Sequence, residues 1–197
     1  MKKYNTEQVN DLIRNRRSVF PKDYVPGQIV EGHIIEKMLE NANWAPTHGK
    51  TEPWRFFVFT GEGLKKLGEM QAGLYKELTP PESFDENRFN KLLANPQKAS
   101  HVIAIAMKRQ ESGKIPEVEE VEAVACAVQN MYLTATAYGA GAYWSSGGIT
   151  YREEAKELFG LGEADKLLGF FYVGVPAKEP VAGKRGDVSQ KVTWVRD

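Results

Sequence analysis

Cysteine is nearly missing from this chain of 197 residues: Cys126 stands alone, which excludes an intrachain disulfide and a thiolate metal cluster. Histidine is scarce too, and His33, His48 and His101 are too scattered for a metal motif. No Gly-x-x-x-x-Gly-Lys-[Ser/Thr] phosphate loop occurs. No Gly-x-Gly-x-x-Gly follows a strand, because Gly139-Ala140-Gly141 lacks the third glycine and precedes a strand instead. Neither sign of charge is in excess: 26 basic and 26 acidic residues give a formal net charge of +0. No global field therefore favours nucleic acid or an acidic surface, and any anion site must be local. No apolar run reaches the roughly 18 residues of a membrane span. Met1-Lys2-Lys3-Tyr4-Asn5 lacks the apolar stretch of a signal peptide. The expectation is a soluble cytoplasmic protein, with no membrane or nucleic-acid partner, forming one domain over 1–197.

What is present is a succession of helical and strand-like periods. Asn5 or Thr6 can cap a first helix with Val9, Leu12 and Ile13 on one stripe. Ile34, Ile35, Met38, Leu39 and Ala42 mark a second helix that Pro46 ends. Residues 54–59 read as a strand. Residues 62–77 read as a helix with Leu64, Leu67 and Met70 on one side. Residues 79–84 break the chain, and 85–95 read as a polar helix. His101–Met107 reads as a buried strand, 110–117 as a loop, and 117–138 as a long helix with acidic first turns. From Ala123 to Ala137 that helix carries almost no charge, which predicts burial, with Cys126 as inert packing, and a homodimer with the helix near its centre. A short strand near 142–146, a helix near 151–158, a strand at 166–175 and a strand-like tail at 192–195 follow. Early helices precede the first strand and hairpin signals are poor. The pattern predicts an α+β or three-layer α/β domain rather than a regular doubly wound sheet.

Three segments carry chemistry. Arg16-Arg17-Ser18 ends the first helix; guanidinium forks and a hydroxyl suit an anionic group such as a phosphate. Alone, the same residues also suit a solvated helix end, where cations meet the dipole. Lys184-Arg185, between Gly183 and Gly186, is a second basic pair that could join the first on one phosphate or form an ordinary charged loop. The segment from Ala45 to Trp54 is framed by Pro46 and Pro53 and supplies Thr47, His48, Lys50 and Thr51 as donors. His48 could donate to a cofactor, act as an acid or cap a helix, and Trp54 reads as a core anchor or a ring platform. In Tyr143-Trp144-Ser145-Ser146-Gly147-Gly148, small residues after a strand let backbone N–H groups face a flat ring, or simply close a glycine turn. In this order the segments suggest a site for a phosphorylated, flat, aromatic cofactor.

Taken together, Arg16-Arg17-Ser18, Ala45-Pro46-Thr47-His48 leading to Pro53-Trp54-Arg55-Phe56, Trp144-Ser145-Ser146-Gly147, Gly169-Phe170-Phe171-Tyr172-Val173-Gly174 and Lys184-Arg185 resemble the flavin-dependent nitroreductase family. The resemblance spans most of the chain. It implies a three-layer α/β/α fold with a mixed, mainly antiparallel sheet flanked by helices, in an intertwined homodimer. It implies FMN at the subunit interface, NADH or NADPH as reductant, and a ping-pong transfer to nitroaromatics, quinones or related small-molecule acceptors. It places Arg16 and Ser18 on the FMN phosphate and ribityl region, Arg17 at the ring or ribityl, and Lys184 and Arg185 on the phosphate. Trp144, Ser145 and Ser146 would line the flavin, with Trp44 and His48 reaching it from the partner subunit. No protein nucleophile is needed, since the hydride chemistry belongs to the cofactor. Lys50 and Glu52 depart from the family's commoner Asn and Gln; Lys50 either tunes the flavin or pairs with Glu52. A flavin-binding or sensory protein without turnover, and a dehalogenating or flavin-fragmenting enzyme, are the alternatives.

Overall fold

The most apolar segments of the chain pair down the middle of a four-stranded sheet. The structure is a computed structural model and describes residues 3–196. Its strands are β1 (Trp54–Thr60), β2 (His101–Met107), β3 (Gly141–Ser145) and β4 (Lys166–Gly174), in the spatial order β1-β2-β4-β3. All three ladders are antiparallel. Among the described residues, parallel pairing is limited to one bridge, between Ser18 and Ala142 beside β3. Every residue of β2 is buried, as a strand covered on both faces requires, whereas the edge strand β1 is only partly covered.

Six helices cover the sheet: α1 (Thr6–Asn15), α2 (Gly32–Ala42), α3 (Glu62–Glu77), α4 (Glu86–Ala94), α5 (Glu117–Ala137) and the single turn α6 (Glu154–Glu157). The pleat sends alternate residues to opposite faces. Ile103, Ile105, Phe171 and Val173 meet Met38 of α2 and Met131 of α5. Val102, Ala104, Phe170 and Tyr172 meet Leu64 and Leu67 of α3 and Phe159 after α6. The result is the expected three-layer α/β/α arrangement. Each fully buried Phe or Leu contributes about 1.5–3 kcal/mol.

Polar groups inside this core are satisfied in sequence. The Val30 N–H donates to Ser100 Oγ at 2.8 Å, and the same hydroxyl shares a hydrogen bond of 2.8 Å with His101 Nδ1. Burial holds the His101 imidazole below its usual range. At the other end of β2, Arg109 pairs with Glu120, which is almost wholly buried in α5. Asp165 accepts the backbone N–H groups of Arg109 and Gly162, each at 2.8 Å. These contacts tie the start of α5 to the sheet.

Several expectations need correction. Within one chain the long helix α5 is buried on one face only, with Val118, Ala125, Cys126 and Ala137 on its exposed outer face. Low charge alone could not separate the two faces. The inner stripe of α3 runs through Leu64, Leu67, Gln71 and Tyr75; Met70 is half-buried beside it. The tail from Val192 to Val195 forms no strand within the chain: a 3-10 turn at Val188–Lys191 precedes it, and Trp194 is 76% exposed. No helix of the described residues is long and apolar enough to cross a membrane.

Candidate functional site

The first basic pair is held against a sheet edge. Asn5 caps α1 by accepting from the Glu7 and Gln8 N–H groups, and the helix closes at Arg16, whose N–H donates to Leu12 O. The chain then turns extended: Ser18 bridges to Ala142 and the Val19 N–H donates to Ala142 O at 2.9 Å. Arg16 and Ser18 thus lie beside β3, the strand that carries Trp144 and Ser145.

Tyr132 of α5 joins them. The Trp144 N–H donates to the Tyr132 hydroxyl at 2.6 Å, and Ser18 Oγ lies 3.4 Å from the same oxygen. The Arg16 guanidinium stands over the Tyr132 ring, 5.1 Å from its centroid. Three expected site residues therefore gather on one that sequence reasoning did not single out. A tyrosine in an apolar helical run gives no signal that separates it from a core aromatic.

The turn after β3 is shaped by a bulge in its neighbour. Ile105 faces Gly169 while Ala106 faces Leu167, which leaves Leu168 as the extra residue. Its carbonyl accepts the Trp144 indole N–H at 3.0 Å. Gly169 has φ 126°, and a Cβ there would collide with Ser145 O and stand 2.8 Å from Trp144 Nε1. Only glycine lets β3 lie this close. Ser145 Oγ accepts from the Gly147 N–H at 3.4 Å, and Ser146 is exposed on the same turn.

Ser145 opens into a cleft of about 380 Å³, where Phe20 and Tyr143 pack at 4.5 Å between centroids and Lys91 and Asn95 come from the α4 side. Burial pushes the Tyr172 hydroxyl at its floor up to about 12, so it is a neutral donor at neutral pH. An adjoining lobe of about 180 Å³ holds Gln71, which is 2% exposed and whose Nε2 faces the Tyr172 hydroxyl without a hydrogen bond of good geometry. The polar helix expected at 85–95 is thus a wall of this cleft. It is pinned to α3 by the stack of Tyr75 and Phe84 at 5.6 Å and by Arg88 over the Tyr75 ring. Gln71, Lys91 and Asn95 are the functional candidates that sequence reasoning missed. Gln71 alone had a signal, as a polar residue on the apolar stripe of α3.

Arg17 turns elsewhere. Its guanidinium donates to Arg14 O at 2.6 Å, to Arg16 O at 2.7 Å and to Val181 O at 3.3 Å. Gly183 lies against it, with the position of a Cβ only 2.6 Å from Arg17 Cζ. The tail is thereby brought to the end of α1, with Lys184 and Arg185 following directly in the chain and both exposed.

The remaining expected residues lie apart. Trp44 is 81% exposed, over a groove it shares with Asn130, Leu133 and Tyr138. His48 Nδ1 sits 2.6 Å from Glu119 Oε2 at the start of α5. Glu119 precedes Tyr132 by thirteen residues, about 20 Å of helix. Lys50 and Glu52 adopt φ of 56° and 44°, left-handed conformations that such residues rarely take. Among the described residues no ion pair joins them, and both are exposed. Trp54 is a core anchor, its indole N–H donating to Asn43 Oδ1 at 2.9 Å.

Comparison with known proteins matches residues 13–175 to the model of the Nitroreductase family. The chain is 31% identical over 166 residues to the Escherichia coli (strain K12) protein named "Putative NAD(P)H nitroreductase YdjA", covering 84% of this chain and 87% of that one. A nitroreductase-like family protein from Bacillus cereus superposes with a TM-score of 0.83 at 27% identity, over 100% of both chains. The FMN-dependent nitroreductase NfnB from Mycobacterium smegmatis, solved in complex with NADPH, shares the fold at a TM-score of 0.72 and 18% identity, over 97% of this chain and 99% of that one.

Proposed function

The chain belongs to the nitroreductase family, and on that premise we propose that it is an FMN-dependent oxidoreductase, a single-domain homodimer that takes electrons from NADH or NADPH. It passes them to a nitroaromatic, quinone or related small-molecule acceptor in a ping-pong cycle. The observation that carries this reading is the convergence of Arg16, Ser18 and Trp144 on Tyr132, beside a cleft in which the buried Gln71 Nε2 lacks a well-formed hydrogen bond.

The residues present fit the cofactor. A phosphate suits Arg16, Ser18 and the neighbouring Lys184-Arg185, which together offer fixed charge and several donors. A flat ring with a polar edge suits the cleft, where Phe20 and Tyr143 supply aromatic faces and Lys91, Asn95 and Gln71 supply donors. A buried amide left unpaired costs about 1–3 kcal/mol, and an acceptor atom on the ring would satisfy it. The turn from Ser145 to Gly147 adds backbone N–H groups. When bound, FMN supplies the hydride chemistry; the protein orients each substrate and keeps water from the ring.

Two features support the dimer. Val9 and Ile13 of α1, Val118 of α5, and Trp194 and Val195 of the tail are exposed apolar groups. Of the residues assigned to the cofactor by family resemblance, His48 meets Glu119, about 20 Å along α5 from Tyr132, and Trp44 stands exposed over the groove of Asn130 and Leu133. In the dimer they serve the partner's flavin. Cys126 as a free thiol accords with a reducing, cytoplasmic compartment.

The purified protein should be yellow, carry FMN stoichiometric with protomer, run as a dimer in light scattering, and bleach anaerobically with NADH or NADPH. A colourless protein that cannot take up FMN overturns the reading. A yellow protein that neither nucleotide bleaches overturns the reductase and leaves a binding module.

A further inference from the structure

We infer that Arg17 is a positioning residue that docks the C-terminal tail so that Lys184 and Arg185 complete the phosphate site, without itself holding the phosphate. The inference rests on the FMN reading above. Its basis is where the guanidinium spends its donors. Nε reaches Val181 O of the tail, and NH1 reaches Arg14 O and Arg16 O at the end of α1. One planar fork thus joins two segments that lie 164 residues apart. Gly183 packs on the same guanidinium, so close that a Cβ would stand 2.6 Å from Cζ. The next two residues are Lys184 and Arg185, each within one or two residue lengths, about 3.8 Å apiece, of that contact. Arg17 thereby fixes the backbone just before them against the end of α1, next in the chain to Arg16 and Ser18. From Val181 to Arg196 every residue is exposed, so little else in the chain holds this stretch in place. Lysine cannot substitute, because one ammonium cannot reproduce the fork.

FMN and riboflavin differ by the phosphate, so binding of each to the apo-dimer separates the roles. Arg17→Ala should weaken FMN binding about 10-fold, the order expected for losing one charge-assisted contact, and leave riboflavin binding unchanged within about twofold. Arg17→Lys should not restore FMN. Gly183→Ala, which removes no charge, should produce the same selective loss. In a Lys184→Ala/Arg185→Ala background, Arg17→Ala should add nothing further. Additive losses in that background, or rescue by Arg17→Lys, would show that Arg17 acts directly on the phosphate and overturn the inference. Equal losses for FMN and riboflavin would reduce Arg17 to a general structural role and also overturn it. If the wild-type protein binds neither flavin, the FMN reading itself fails, and the inference with it.

Discussion

The candidate site has two halves that the chain treats differently. Arg16, Ser18, Trp144 and Ser145 are drawn together by Tyr132 and by the bulge at Leu168. Trp44, His48 and Lys50 stand out in solvent, and His48 is tethered only to Glu119 at the far end of α5. Both halves belong to the same family pattern. His48, held at Glu119, sits about 20 Å along α5 from Tyr132. Under the proposed dimer, the difference is that of two half-sites facing different ways, one for the chain's own flavin and one for its partner's.

Separating the halves should have the largest effect. Ala125→Glu places a charge on the exposed face of α5, twice per two-fold interface. We expect the dimer dissociation constant to rise about a thousandfold, read by light scattering, with FMN lost in parallel. A yellow dimer would refute the two-half arrangement. Next, Glu120→Ala strips Arg109 of its buried partner and should cost about 3 kcal/mol in urea unfolding. That would loosen the helix that spans both halves. Tyr132→Phe touches the assembled half alone. It leaves the Trp144 N–H without its acceptor and should weaken FMN binding about 10-fold, measured by fluorescence quenching. Lys50→Ala tests the outlying half: FMN affinity should hold while the flavin midpoint potential falls by roughly 20 mV, equivalent to about 1 kcal/mol for two electrons. An unchanged potential would remove Lys50 from any tuning role.

The smallest effect lies beneath both halves. Burial holds the His101 imidazole below its ordinary value of 6.5. As pH falls below that value, the unfolded chain takes up a proton that the native ring refuses. Stability is therefore full above about pH 6.5 and is lost as pH falls toward the folded value. Unfolding stability followed by urea from about pH 7.5 to 5 should fall more in the wild-type protein than in His101→Leu; equal slopes would remove His101 from the pH dependence.

Much of the fold was legible because burial imposes periodicity. The strand at 101–107 and the helix at 62–77 fall at the boundaries that their apolar spacing marks. Arg16, Ser18, Trp144 and Ser145 were legible as segments because their residue types suit a phosphate and a flat ring. The outer face of α5, with Ala125 and Cys126, was not legible, since a helix of small uncharged residues looks the same whether that face meets its own core, a second copy or solvent. The deep end of the cleft stayed hidden because Gln71, Lys91 and Asn95 share it only after α3 and α4 dock on each other.

Sequence by itself determined the local elements, the layered class of the fold and the chemistry on offer, because helix and strand periods and side-chain types act over a few residues. Only the tertiary structure decided which groups meet. Strand pairing places Leu168 as a bulge under Trp144, and helix docking sets Tyr132 between Arg16 and Ser18. A single guanidinium joins the end of α1 to the tail. Those contacts depend on register and distance in space, which no local spacing records.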